Sequence, residues 1–322
     1  MEKEICVSVK EAVEAKRIIS QQLSPTSLTH YQGLSDLLGV KAYIKHENQQ
    51  PGGSFKIRGG LNLMHHLKKA EVPGVITFST GNHGISVGMS ANYYQIPAIV
   101  VVPKGNSIEK NQLIIETGAK LVEAGNNFEE AAEYGLQLQK EKGYRFIHAA
   151  NEPHLINGVA TGFLEIIEAL PNIDAIILPI GGGSELAAAV TVFKELKPQV
   201  AIIAVQAKES PAAYLSWQSK KIRQADNHTF AGGFATGAGC QLPLSIYQDH
   251  LTDFVLLSEK EILEGIGLAY KYTKNVAEGA GSASIMACLK LKEQLAGKTV
   301  VMQMSGANEL LAVYRKGLAT LS

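Results

Sequence analysis

Cysteine is scarce in this chain: Cys6, Cys240 and Cys288 are the only three in 322 residues. An odd number without CxxC spacing excludes a disulfide framework and a zinc ribbon, and it reads as buried thiols in a reducing compartment. An excess of one charge is also missing, since 30 Lys and Arg balance 30 Asp and Glu. That removes the electrostatic footprint of a nucleic-acid binder or of a protein held on an anionic membrane. The longest apolar run, residues 96–103, is far short of the roughly 20 residues that span a bilayer. Glu2, Lys3 and Glu4 open the chain without an apolar stretch behind them, which argues against a secretory signal. No Pro-, Gly- or Ser-rich linker, repeat or low-complexity tract breaks the sequence. What remains, 46% hydrophobic and 19% charged, is the composition of an ordinary soluble globular protein, and the unpaired thiols make the cytoplasm its expected location. Its length exceeds what one core usually supports, so two lobes are expected.

Short β-branched runs alternate with helical patterns, the signature of parallel sheet covered by helices. Residues 74–78 read as a strand, followed by a glycine loop and a helix over 85–94. Residues 98–102 form the next strand, then a helix from Ser107 to about Glu116 that stops at Gly118. A short strand over 119–122 precedes a helix over 128–142. The cycle resumes with strands at 175–178, 201–205 and 299–304 and a helix from Ser184. Three polar turns, Ser79-Thr80-Gly81-Asn82, Gly181-Gly182-Gly183-Ser184 and Ser305-Gly306, each follow directly after one of these strands. Ligands of open parallel sheets bind outside the carboxyl ends of strands, so these turns are what a shared ligand site would look like.

Each turn has a plainer reading beside the functional one. Gly181-Gly182-Gly183-Ser184 suits a phosphate cradle, because small residues let successive N–H groups converge at a helix N-terminus. It equally suits a tight strand-to-helix turn. A Rossmann fingerprint fails, since position 186 is Leu where the third glycine is needed. Asn82 and Ser305 are both good helix N-caps. Lys56, in Ser54-Phe55-Lys56-Ile57-Arg58-Gly59, is either a surface residue at a helix start or an amine kept neutral by desolvation for imine chemistry.

Taken together, Ser54-Phe55-Lys56-Ile57-Arg58-Gly59, Ser79-Thr80-Gly81-Asn82-His83-Gly84, Gly181-Gly182-Gly183-Ser184 and Ser305-Gly306-Ala307-Asn308 resemble the motifs of the serine/threonine dehydratase and serine racemase family of pyridoxal-phosphate (PLP) enzymes. They stand in that family's order and at about its spacing, so the resemblance covers nearly the whole chain. It implies an α/β fold of two lobes, each an open, mainly parallel twisted sheet flanked by helices, as in fold-type II (tryptophan synthase β-like) PLP enzymes. By the same resemblance a small lobe at 71–150 is inserted into a large PLP-binding lobe made of 1–70 and 151–322. Lys56 is implied to hold pyridoxal 5'-phosphate as a Schiff base, with Phe55 against the pyridine ring. Gly181, Gly182, Gly183, Ser184 and Glu185 are implied at the phosphate, Asn82 at the phenolic oxygen and Ser305 at the pyridine nitrogen. Ser79, Thr80, Gly81, Asn82 and His83 are implied to hold the substrate carboxylate, and Glu278 to lie near the cofactor. A neutral serine at the pyridine nitrogen makes a milder electron sink than a carboxylate, which suits β-elimination better than transamination.

The chain departs from the pattern at one loop. The family has four glycines and then an apolar residue; here Ser184 stands in the fourth place and Glu185 follows. A carboxylate beside a phosphate dianion is unfavourable unless it turns away. The divalent-metal carboxylates of the racemases align with Gln206 and Ala212, so no metal is expected.

The resulting expectation is a lyase, most like a catabolic-type threonine dehydratase, that turns L-threonine or L-serine into a 2-oxo acid and ammonia. The chain ends soon after the Ser305 loop, which fits the catabolic type rather than one with a regulatory domain. Serine racemase, 3-hydroxyaspartate dehydratase and hydroxyectoine-utilisation dehydratase are the alternatives. A non-catalytic PLP-binding homologue is a different class, and the retained Lys56 argues against it. A homo-oligomer, dimer or tetramer, is expected, with a small amino acid as the partner. Other short matches read as chance: Gly297-Lys298-Thr299 lacks its upstream glycine, Ser107-Ile108-Glu109-Lys110 lacks partner motifs, Asn227-His228-Thr229 has no secretion route, and His148 and His154 lack metal-ligating companions.

Overall fold

β-Branched strands and alanine-rich helices sort this chain into two sheets. The computed structural model describes residues 6–126 and 128–321, so Glu2, Lys3 and Glu4 lie outside the described residues. In chain order the strands are β1 (Leu28–His30), β2 (Lys41–Lys45), β3 (Val75–Phe78), β4 (Ala98–Val102), β5 (Lys120–Glu123), β6 (Arg145–Phe146), β7 (Ala175–Pro179), β8 (Ala201–Ala207), β9 (Asp253–Leu257) and β10 (Thr299–Gln303). One sheet has six strands in the order β1-β2-β10-β7-β8-β9, the other four in the order β5-β4-β3-β6. All neighbours pair in parallel except β1 with β2. The architecture is the mainly parallel two-sheet α/β arrangement expected.

Alternation along each strand builds the cores, since successive side chains point to opposite faces. In β10, Val301 joins Ile176, Leu178 and Ile202 under the helices Val9–Ile19, Pro153–Ala169 and Ser184–Leu196. Val300 and Met302 face the other way, onto Ile177, Val205 and the helices Glu259–Thr273 and Gly279–Lys290. The four-stranded sheet does the same on a smaller scale, with Ile76, Ile99 and Val101 on one face and Val100, Val102 and Ile114 on the other. Both faces of each sheet are covered, which is why the strands read as continuous apolar runs. No helix among the described residues is long and apolar enough to cross a membrane.

Two local readings are corrected. The helix expected over 85–94 starts at Asn82 and runs Asn82–Tyr93. Asn82, His83 and Gly84 are indifferent helix formers, but the Ser79 hydroxyl accepts the Gly84 N–H at 3.0 Å and draws them into the first turn. Ser305 caps no helix, because the following one is Leu311–Ala319, with Leu310 at its N-cap.

Candidate active site

The carboxyl ends of β3, β7 and β10 open on one cavity of about 350 Å³ between the two sheets. Lys56, Ser79, Thr80, Gly81, Asn82, His83, Gly181, Gly182, Gly183, Ser184, Glu185 and Ser305 all line it, with Phe55 and Glu278. All the residues singled out in the sequence as site candidates thus surround one space.

Lys56 is the first residue of the helix Lys56–Lys69. The Ser305 loop fixes where that helix begins: Phe55 N–H donates to Ser305 O at 3.1 Å, and Ala307 N–H to Gly53 O at 2.9 Å. Its ammonium nitrogen lies 3.1 Å from Ser184 Oγ, 3.5 Å from Ala149 O and 4.9 Å from the centre of the Phe55 ring. Burial holds the Lys56 pKa below the usual lysine value, while Glu185, Cys240 and Glu278 pull the other way. A neutral amine is therefore accessible where a carbonyl group would be attacked.

Facing Lys56, the glycine turn leads into the helix Ser184–Leu196. A Cβ at Gly181 would collide with the carbonyl oxygen of Gly233, and Gly183 adopts a φ of +92°, which favours glycine. The backbone N–H groups of this turn and of the first helical turn have no intrahelical acceptor. Glu185 turns its carboxyl away from the turn, where Oε1 accepts Gln303 Nε2–H at 2.6 Å. Its burial pushes the Glu185 pKa up to about 8. No carboxylate therefore opposes an anion at the turn at neutral pH.

Across the cavity, the helix Asn82–Tyr93 points its N-terminus inward. Ser79 Oγ accepts from Gly84 N–H and, at 3.4 Å, from Gly81 N–H, leaving its own proton to donate. The Asn82 and His83 N–H groups sit in the first turn, where a carboxylate is favoured by both hydrogen bonding and the helix dipole. Asn82 is held on both sides: its amide donates to Glu278 at 2.8 and 3.1 Å and accepts from Asn308 at 2.7 Å. Burial raises the Glu278 pKa to about 7. It pushes His83 down to about 3, with Lys56 and His148 adding to the effect, so His83 is a neutral imidazole, and its buried Nε2 has no partner among the described residues.

Below the cavity lies a feature that sequence reasoning missed. Arg58, 1% exposed, donates to Glu47 at 2.7 and 2.8 Å and to Glu165 at 2.7 and 2.8 Å, and Lys45 donates to Glu165 at 2.6 Å. Two cations thus neutralise two anions inside the protein. Also unforeseen are Lys110, His148, Cys240, Glu309 and the loop from Gly232 to Cys240, all on the cavity wall. The small residues Gly232, Gly233, Gly237, Ala238 and Gly239 were the available signal. His148 faces the cavity as an acceptor, its Nδ1 receiving the N–H groups of Ala150 and Asn151 at 3.0 Å. No group of three or more His, Cys, Asp or Glu suited to a metal occurs among the described residues. Gln206 spends its side-chain oxygen on Tyr214 N–H at 3.0 Å.

Known proteins resemble this chain in sequence and in fold. Residues 19–306 match the family described as pyridoxal-phosphate dependent enzyme. The L-threonine ammonia-lyase of Thermotoga maritima is 33% identical over 304 residues, 94% of this chain and 76% of that one. The catabolic L-threonine dehydratase TdcB of Escherichia coli (strain K12) is 31% identical over 309 residues, 94% of this chain and 93% of that one. The solved structure of maize serine racemase matches with a TM-score of 0.91 at 25% identity, covering 98% of each chain. The chain belongs to the pyridoxal-phosphate dependent enzyme family.

The residues present fit that cofactor. The glycine turn is a cradle that a Cβ would fill, and it offers only backbone donors and the Ser184 hydroxyl to an anion. Lys56 supplies an amine kept from its usual charge, and the Phe55 ring stands beside it.

Proposed function

We propose that the chain is an ammonia-lyase that converts L-threonine or L-serine to a 2-oxo acid and ammonia in the cytoplasm, as a homo-oligomer. The observation that carries this reading is the placing of Lys56: a desolvated amine 3.1 Å from Ser184 at the anion cradle, across the cavity from the inward helix N-terminus at Asn82. The two sheets support a division into a large lobe, 1–70 with 151–322, and a small one, 71–150.

The chemistry that pyridoxal phosphate supplies when bound is an electron sink for negative charge developing at the substrate Cα. The protein's own residues do the rest. Gly181, Gly182, Gly183 and Ser184 hold the phosphate at a helix N-terminus. Phe55, Asn82 and Ser305 orient the ring, and Ser305 offers a hydroxyl rather than a carboxylate. Ser79, Thr80, Gly81, Asn82 and His83 hold the substrate carboxylate, which fixes the Cα–H bond relative to Lys56. Lys56, as a neutral amine, takes the α-proton; the β-hydroxyl then departs as water, and water returns in the hydrolysis that releases ammonia. His83, neutral at working pH, adds no positive charge that would hold Lys56 as an amine or compete for the carboxylate.

Borohydride reduction of the purified protein followed by peptide mapping is expected to place the pyridoxyl group on Lys56. A panel of β-hydroxy amino acids is expected to yield 2-oxo acid and ammonia in equal amounts, with L-threonine or L-serine fastest. Lys56→Ala is expected to abolish turnover. A pyridoxyl group on another lysine, or a panel giving no 2-oxo acid, overturns the reading.

A further inference from the structure

Ser184 opens the helix Ser184–Leu196, lines the cavity and is 1% exposed. A buried hydroxyl is costly unless it is hydrogen-bonded. Ser184 does not cap its own helix, because Gly183 stands at the N-cap and no side chain closes it. Its hydrogen bond among the described residues is to Lys56, whose nitrogen donates to Ser184 Oγ at 3.1 Å. A serine hydroxyl can accept and donate at once, and the described residues provide no acceptor for the Ser184 proton. Anion binding at this turn uses backbone N–H groups, which any residue supplies. The hydroxyl against the lysine amine is what the serine adds.

We propose that Ser184 is a proton relay: it receives the proton that Lys56 has taken from the substrate Cα and passes its own to the β-hydroxyl as that group leaves. The inference rests on the lyase reading and on the role of Lys56 within it.

Hydroxide is a poor leaving group unless a proton reaches the oxygen as the bond breaks. The α-proton can supply it. Lys56 binds that proton, and the electron pair of the Cα–H bond becomes the second bond between Cα and Cβ. The Cβ–O bond breaks with its pair staying on oxygen, and the Ser184 hydroxyl proton moves to that oxygen. The Lys56 ammonium restores the serine proton across the 3.1 Å contact. Water departs, Ser184 is unchanged, and Lys56 is again a neutral amine. Other groups around the amine are unsuited to this. Ala149 O, 3.5 Å from the nitrogen, is a carbonyl with no proton, and the Phe55 ring offers none. Ser79 lies across the cavity, where its Oγ accepts from Gly84 N–H at 3.0 Å. Glu185 is turned to Gln303 at 2.6 Å. Among the described residues, Ser184 is thus the proton-bearing side chain in hydrogen-bond contact with Lys56.

Two substrates compared on the cofactor-loaded protein test the relay. L-Serine needs a proton on its leaving oxygen; β-chloro-L-alanine loses chloride and needs none, and both give pyruvate and ammonia. Ser184→Ala removes the hydroxyl alone. From initial rates at saturating cofactor, it is expected to lower the kcat ratio of L-serine to β-chloro-L-alanine about a hundredfold, the lower end of what a positioned acid–base group contributes. Ser184→Thr keeps a hydroxyl and is expected to recover most of the ratio. Ser184→Gly takes the place of Ser184→Ala if the latter does not fold. A serine that only holds phosphate would slow both substrates alike, so an unchanged ratio in a folded, loaded variant overturns the relay. If the wild-type protein forms pyruvate from neither compound, the lyase reading itself fails and the relay with it, a result seen before any variant is made.

Discussion

Thr80 bears on whether this site eliminates or racemises. Racemisation needs a proton acceptor on one face of the substrate and a donor on the other. Lys56 is proposed for one face, and Thr80, which lines the same cavity, is the hydroxyl proposed for the other. Threonine carries that hydroxyl, but its second Cβ branch restricts χ1. A group misplaced by about 1 Å can lower a rate roughly a hundredfold. With L-serine, pyruvate is therefore expected to form much faster than D-serine, and Thr80→Ser to raise the D-serine share. Chiral chromatography showing D-serine as the main product would favour racemase over lyase. Gly181 offers a second test at this scale. Because a Cβ there meets the Gly233 carbonyl oxygen, Gly181→Ala must push two loops apart. Cofactor affinity, followed by the visible absorption on titration, is expected to fall by tenfold or more, or about 1.4 kcal/mol.

At the scale of elements, the buried quartet joins four pieces of chain. Lys45 ends β2, Glu47 begins the 3-10 turn Glu47–Gln49, Arg58 lies in the helix Lys56–Lys69 and Glu165 in Pro153–Ala169. Lys56 and Arg58 are two positions apart on one helix and so point to different sides of it. One side chain serves the cavity while the other anchors the helix. Arg58→Met leaves two carboxylates against one lysine, and removing one partner of a buried pair costs about 3–5 kcal/mol; urea unfolding measures it. The Glu47 carboxyl is held below the usual carboxylate range, because Arg58 and Lys45 outweigh the effect of its burial. Its stabilising contribution is therefore present above the unfolded carboxylate pKa and is lost as pH falls through the lower, folded value. Glu47→Gln is expected to flatten the acid limb of the stability profile.

For the whole molecule, the cavity lies between the two sheets, so a bound cofactor ties them together. Loading the stripped protein with pyridoxal phosphate at a hundredfold over its Kd is expected to stabilise it by about 2.7 kcal/mol, visible as a rise in Tm. A chelator is expected to leave both activity and Tm unchanged. Gln206 and Ala212 stand where the racemase carboxylates align, and Gln206 has already given its oxygen to Tyr214 N–H. A loss restored by magnesium or calcium would refute this.

The sequence alone determined what depends on neighbours along the chain: the strand runs, the glycine turns that follow them, and the Lys56, Asn82 and Ser305 positions within their motifs. These signals are local, because a strand end and a turn are specified within a few residues. Whatever depends on distant pairing was decided only by the tertiary structure. Arg58 and Glu165 are 107 residues apart in sequence, and Glu185 and Gln303 are 118 apart. No periodicity or composition marks such pairs. The start of the helix at Asn82, against its local propensity, was decided by the Ser79 hydroxyl. The direction of Glu185 follows from the buried Gln303 amide that donates to it. A buried charge or carboxyl group is placed by whichever partner the packed chain brings to it, and only the folded molecule holds that information.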